Sequence, residues 1–414
     1  MTHTARGFAP ATLRPQSLAF TFLIGALAAL PPLSIDLGLP ALTMLQSSLG
    51  ATPAQAALTL SLFLAGFGVA QLMMGPLSDR YGRRPVMLFG MALYALAGLG
   101  CALAPSIEVL LSFRLLEGIG AAGGTTLAMA VVRDNFDGQA GRIKMSQVSM
   151  VITIAPIIAP TLGGLLLLFG EWRLIYAALS LAGAALVVAV YFGLAESRPA
   201  VPGARLDLVG RYGAVLRHRP TMGYVLVNAL GSGGLFAFIS GSPLVLIGTM
   251  GVSNQVFGLL FAITSSGILL GSMINNILAR RGVPARLPLA IGLSVAPLAA
   301  LGALLVMLAG VIRLETFIPF VVLIGLCRGL STPSITHAAL EPVPQHAGVT
   351  AALMGCGQML CMALSGFLVA VLYPYWGPLG LVVTMFGFLL AGLVSWLLVE
   401  RRARTLPVGE TIRH

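Results

Sequence analysis

The chain has 414 residues, 57% of them apolar and only 9% charged, and its mean hydropathy is +0.96. A soluble domain carries roughly 25% charged residues, so a water-facing protein is excluded, and spans of ~20 apolar residues with few charges fit instead. The 24 Lys+Arg against 13 Asp+Glu give a formal net charge of +11, and the placement of the Lys and Arg, nearly all in tails and inter-span segments of one side, makes that charge a topology signal rather than a nucleic-acid footprint.

Apolar runs broken by charge or by Gly and Pro predict twelve membrane helices. The opening residues, with Arg6 and Arg14, read as a cytoplasmic lead into a first span at 17–39, too long for the apolar region of a cleavable signal peptide. In that span Pro31, Pro32 and Pro40 bracket Asp36, which predicts a kink and carbonyls freed to line a cavity. The second and third spans, at 54–75 and 85–104, are joined by the string GPLSDRYGRRP at 75–85. It reads as a tight turn: Gly75 and Gly82 permit close approach and positive φ, Asp79 caps or pairs, and Arg80, Arg83 and Arg84 hold it in the cytoplasm. The fourth span, 107–132, carries Arg114 and Glu117; the fifth, 145–168, carries Pro156, Pro160, Gly163 and Gly164; the sixth is 172–194. A polar, basic segment at 195–220 separates these from 222–247, 256–278, 287–311, 317–338, 349–372 and 376–399, and a tail follows at 400–414. The organisation expected is an N-terminal six-helix half at 1–194, a linker at 195–220, a C-terminal half at 221–399 and a tail.

With the N-terminus in the cytoplasm, every Lys and Arg falls on that side except Arg173 and Arg313 outside and Arg114 and Arg328 within spans, as the positive-inside rule requires. Arg114 in the fourth span has a counterpart, Arg328, in the tenth. Two corresponding six-span halves suggest a parallel repeat with a site between them near mid-membrane.

Charge within a span costs roughly 2.5–3.5 kcal/mol on insertion scales, so it needs a partner or a role. Desolvation disfavours the charged form of Asp36 and suits it to taking up and releasing a proton; a hydrogen-bonded structural carboxylate is the alternative. Arg114 and Glu117, three apart, share a helix face and can pair, either as a static pair or as a switch exchanging partners with Asp36. Arg328 has no acid within a turn and faces the interior or snorkels. The cysteines Cys101, Cys327, Cys356 and Cys361 lie in apolar stretches and read as small buried hydrophobes. The histidines His3, His218, His337, His346 and His414 are dispersed, which speaks against a metal site, and neither an HExxH nor a P-loop motif occurs.

The 75–85 string resembles the loop signature of the major facilitator superfamily. RLLEGIGAA at 114–122 is similar to the fourth-span Arg motif of its proton-driven members, and APTLGG at 159–164 resembles the fifth-span antiporter motif with Ala159 in place of glycine. Together with DLGLP at 36–40, Gln71-Leu72, Val132-Arg133-Asp134 and Glu171-Trp172-Arg173, the pattern resembles the bicyclomycin-resistance (Bcr/CflA) group of drug:proton antiporters. The resemblance implies an all-α membrane protein of two pseudo-symmetric six-helix halves. It implies that Asp79 meets Arg133 and the start of the eleventh helix near Val349, that Asp36 takes the proton or contacts substrate, and that Arg114 modulates it. Pro156, Pro160, Gly163 and Gly164 would let the halves pack closely. Two departures stand out: Gly38 where the group typically has tyrosine, and Glu117 where it has glutamine.

The function expected is a proton-coupled secondary transporter, not an enzyme, that exports a small, partly apolar organic compound by alternating access. Proton-coupled uptake or metabolite export is the alternative, and a membrane-embedded enzyme or receptor the remote one. Cavity walls are expected from spans 1, 4, 5, 7, 8, 10 and 11, with Asn228, Phe236, Phe238, Arg328 and Gln358 as candidates. No cofactor or metal is called for, the proton gradient being the energy source. Its partners would be substrate, protons and lipid, without nucleic acid, and it would act as a monomer in the inner membrane with both termini cytoplasmic.

Overall fold

A computed structural model describes residues 12–198, 208–311 and 313–405; His3, Arg6 and His414 lie outside them. It is all-helical among the described residues, and twelve helices are long and apolar enough to cross a membrane. In the first half these are span 1 (Leu18–Leu49), span 2 (Pro53–Tyr81), span 3 (Arg83–Ala102), span 4 (Ile107–Asn135), span 5 (Gly138–Leu166) and span 6 (Trp172–Gly193). In the second they are span 7 (Arg219–Thr249), span 8 (Asn254–Arg280), span 9 (Arg286–Leu308), span 10 (Leu314–Leu340), span 11 (Pro344–Trp376) and span 12 (Pro378–Arg401).

The helices start where the sequence supplies caps. Thr52 and Gln55 form a reciprocal capping box at span 2, and Ser253 accepts from the Val256 amide at span 8. Inside each half the main neighbours correspond. Span 4 packs on spans 1, 2 and 3, as span 10 packs on 7, 8 and 9; span 6 packs on 1 and 3, as span 12 packs on 7 and 9; span 1 packs on 5, as span 7 packs on 11. Two seams join the halves, spans 2 with 11 and 5 with 8, and the same correspondence exchanges them. Small residues make these contacts close: a Cβ at Gly118 or Gly329 would strike the carbonyl of Phe63 or Ile268.

Prolines inside the spans leave carbonyls without their helical donor, and at three of them a hydroxyl takes its place. Pro31 cannot donate to Leu27 O, which accepts from Thr125 Oγ1 of span 4 at 3.3 Å. Pro76 leaves Leu72 O, which accepts from Tyr212 Oη at 2.8 Å. Pro333 leaves Gly329 O, which accepts from Ser272 Oγ at 3.3 Å.

Several expected boundaries shift. Span 1 passes Leu39 through a short 3-10 turn, Leu39–Ala41, into a helix Leu42–Leu49, because Pro40 occupies the first turn of a new segment rather than ending the span. The 75–85 string is mostly helix. Span 2 runs to Tyr81 through Pro76, span 3 begins at Arg83, and the turn is Gly82 alone, at φ 94°. Span 5 starts at Gly138, so Arg142 and Lys144 ride on a polar extension of the helix. The linker is not loop throughout: it contains a helix, Leu208–Arg217. The Tyr212 phenol on it is held above the usual tyrosine range by burial, which keeps it a donor. The linker also begins by capping span 3. Glu196 accepts from the Arg83 and Arg84 amides at 2.8 and 3.0 Å, placing an anion at a helix N-terminus.

Candidate functional site: a cavity between the halves

A cavity of about 250 Å³ lies where spans 1, 5, 7, 8, 10 and 11 converge. Pro31 and Pro32 lie in its wall on span 1, and Asp36, the last residue of that helix, contributes a carboxylate to the lining. Asp36 is 4% exposed, and among the described residues no hydrogen-bond or ion-pair partner holds it. Facing it are Phe236 and Phe238 of span 7, with the Phe238 ring stacked on Phe261 of span 8 at 6.4 Å. Pro156 and Gln358 also line the cavity. An unpaired acid in an aromatic, desolvated chamber can exchange a proton for a ligand's donor or cation.

Span 4, expected in the wall, does not contribute. Its Arg114 and Glu117 are fully buried behind span 1, because the glycines of that helix draw it against spans 2 and 3. Arg114 Nη1 pairs with Glu117 Oε2 at 2.8 Å, Nε donates to Thr59 O at 3.1 Å, and Nη2 donates to Ser34 O at 3.2 Å. The guanidinium also lies over the Phe63 ring at 4.5 Å. Ser34 Oγ bonds Tyr94 Oη at 2.7 Å, and Cys101 Sγ approaches Glu117 Oε2 at 3.6 Å. The network therefore touches span 1 two residues before Asp36.

The second half carries a different cluster. Arg328 Nη2 donates to Asn228 Oδ1 at 2.8 Å, to Asn228 O at 3.3 Å and to Ser232 Oγ at 2.5 Å; Asn228 Nδ2 donates to Gln358 Oε1 at 3.2 Å. Asn228 and Arg328 thus stand below the lining and join it through Gln358.

At the loop between spans 2 and 3 Arg83 pairs with Asp79 and Asp134, both at 3.0 Å, and also donates to Ser78. Arg198 of the linker pairs with Asp79 at 3.2 Å, and Ser197 donates to Asp134 at 3.1 Å. Arg133 is exposed, and its neighbour Asp134 makes the ion pair to the loop. Arg80 lies over Tyr81 and Arg84 over Tyr191, each at 5.3 Å. Gly75 lies within span 2. In span 5, Pro160 is buried and Gly163 abuts the Leu37 carbonyl. A Cβ at Gly164 would come within 3.0 Å of Asn254 O, and one at Gly258 within 2.8 Å of Thr161 Cα, so the 5/8 seam, where span 5 ends and span 8 begins, is backbone against backbone.

The sequence reading missed Ser34, Tyr94, Ser232 and Glu196. The first three are lone polar residues inside apolar spans, whose partners lie on other helices, and Glu196 sits in a linker, so none carries a signal in the sequence.

The family model described as Major Facilitator Superfamily matches residues 18–365. The chain belongs to the Major Facilitator Superfamily. It is a multi-pass membrane transporter of small molecules and not an enzyme. It is 34% identical over 380 residues to an uncharacterized MFS-type transporter, YdgK, of Bacillus subtilis (strain 168), covering 89% of this chain and 92% of that protein. It is 29% identical over 364 residues to a bicyclomycin resistance protein homolog of Haemophilus influenzae, covering 86% and 91%. It is also 29% identical over 398 residues to the multidrug resistance protein MdtL of Escherichia coli (strain K12), covering 94% and 97%. The names of the last two agree with the group its motifs resemble. In fold, this superfamily member is similar to a bacterial homolog of the human lysosomal transporter Spinster in an inward-facing, unoccupied conformation. The TM-score is 0.71 at 18% identity over 93% of this chain and 98% of that one.

Proposed function

We propose that this transporter exports small, partly apolar organic compounds in exchange for protons, by alternating access of a cavity between its two six-helix halves. The observation that carries this reading is Asp36: a buried, unpartnered carboxylate at the end of a helix with two internal prolines, lining an aromatic cavity. Substrate and proton compete for it. Arg114, held to the Ser34 carbonyl, sets the position of the Asp36 turn, and Glu117 balances the arginine's charge. Resistance-named relatives at 29% identity support drug-like cargo. The charge asymmetry of the loops supports an inner-membrane protein with both termini in the cytoplasm.

The test is substrate-induced collapse of a pH gradient in inside-out vesicles, with the native chain and Asp36→Asn across a panel of antibiotics and metabolites. Collapse with the native chain and not with Asp36→Asn is the expected result. If Asp36→Asn matches the native chain, coupling moves to Glu117; if influx rather than efflux follows the gradient, the protein is an uptake system.

A further inference from the structure

The charges at the cavity are opposite in sign and sit in opposite halves. Asp36, in the first half, has no partner among the described residues. Arg328, in the second, has no acidic partner among them either, and all three of its hydrogen bonds to span 7 leave from Nη2. Its Nε and Nη1 make no hydrogen bond, yet neither is enclosed against solvent, and the residue is only half-buried. A guanidinium with donors free and open to space at mid-span calls for an acceptor.

Helical register shows which space it faces. Val321 and Arg328, seven residues apart, share one face of span 10, and Val321 lines the cavity. On span 7, Asn228, Ser232, Leu235 and Ile239 follow a 4-3-4 spacing along one face, and the last two line the cavity. Gln358, bonded to Asn228, lines it too. The Arg328 cluster is therefore the cytoplasmic continuation of the cavity wall. By helical rise it sits about 10 Å below Val321.

We propose that Arg328, oriented by Asn228 and Ser232, is the subsite for the carboxylate of an elongated aromatic zwitterion whose ammonium end reaches Asp36 and whose ring lies against Phe236 and Phe238. A cation alone leaves Arg328 unpaired, and an anion alone leaves Asp36 repelling it. A zwitterion satisfies both, and protonation of Asp36 displaces only its ammonium end. Planar, bidentate carboxylate binding is what a guanidinium offers over an ammonium. The inference rests on the cavity being the transport site.

The probe is 4′-(aminomethyl)biphenyl-4-carboxylate, a rigid rod with ammonium and carboxylate at opposite ends, beside its methyl ester, which is a cation only. Binding is measured by equilibrium dialysis with the full chain in lipid nanodiscs. The native chain should hold the zwitterion about ten-fold more tightly than the ester, as a charged hydrogen-bonded pair provides. Arg328→Gln should abolish the preference, and Arg328→Lys, which keeps the charge and loses the planar fork, should retain part of it. Monodisperse elution of both variants separates this from misfolding. Equal binding of zwitterion and ester by the native chain, no binding of the zwitterion, or a preference unchanged in Arg328→Gln overturns the proposal. Failure of the exporter reading is separate: it appears as bound probe that moves no protons, whatever Arg328 prefers.

Discussion

The Arg114 guanidinium donates to the main-chain carbonyl of Ser34, at 3.2 Å, two residues before Asp36. An arginine of span 4 thus grips the backbone of span 1 beside its unpaired acid, while Glu117 neutralises it within a fully buried pair. Removing one partner strands the other. Glu117→Gln leaves an uncompensated cation, Arg114→Gln an uncompensated anion, and each should destabilise the chain by about 3–5 kcal/mol. The double variant should cost clearly less than the sum, a coupling read by thermal unfolding of all four proteins in detergent.

The Tyr212 hydroxyl fills the place of the amide hydrogen that Pro76 lacks, so the two residues are coupled through Leu72 O. Tyr212→Phe should destabilise the native chain by about 1 kcal/mol. In a Pro76→Ala background, where residue 76 can donate to Leu72 itself, the same change should cost a few tenths at most. Chemical denaturation of the four variants decides between coupling and independent effects.

Glu196 caps span 3 across Gly82. Glu196→Ala should lower stability by about 0.5–2 kcal/mol, the usual range for a lost helix cap. Gly82→Val should cost more, because its φ of 94° disfavours any side chain and a Cβ there would press on Glu196 Oε2 at 2.6 Å. Melting midpoints in detergent should fall in that order.

Phe238 stacks on Phe261 and faces the cavity. Phe238→Ala should weaken binding of aromatic substrates about two- to ten-fold beyond any effect on aliphatic ones, as loss of a ring pair predicts. Competition assays with matched aryl and alkyl compounds would measure the difference.

Gly258 at the 5/8 seam leaves no room for a side chain against Thr161. Gly258→Val should hold the outer ends apart. Transport should fall severely, while a cysteine introduced near Asn254 should become more reactive to an impermeant maleimide added from outside.

The twelve spans were legible because hydropathy sums over ~20 residues and so survives local noise. Their ends were not, since Pro40 and Pro76 signal a break in a sequence but are absorbed here by a 3-10 turn and a borrowed hydroxyl. Asp36, Arg114, Glu117 and Arg328 announced themselves by charge in an apolar context. That Arg114 is sealed behind span 1 while Arg328 opens beside the cavity was not legible. It depends on which helix faces the glycines bring together, and charge alone does not encode that. Ser232 and Ser34 escaped for the reverse reason: a lone serine in a span is common, and only its partner gives it a role.

The match of the main neighbours in the two halves gives the frame a twofold character, and a symmetric chamber would accept any cargo equally well in two poses related by that twofold. An anion fixed on one wall and a cation near the other abolish that degeneracy. A zwitterion of the kind proposed would have a single polarity in which to lie, ammonium toward Asp36 of the first half and carboxylate toward Arg328 of the second. On the proposal that Asp36 and Arg328 hold the two ends of a zwitterion, orientation of the cargo is written by two side chains on an otherwise indifferent scaffold.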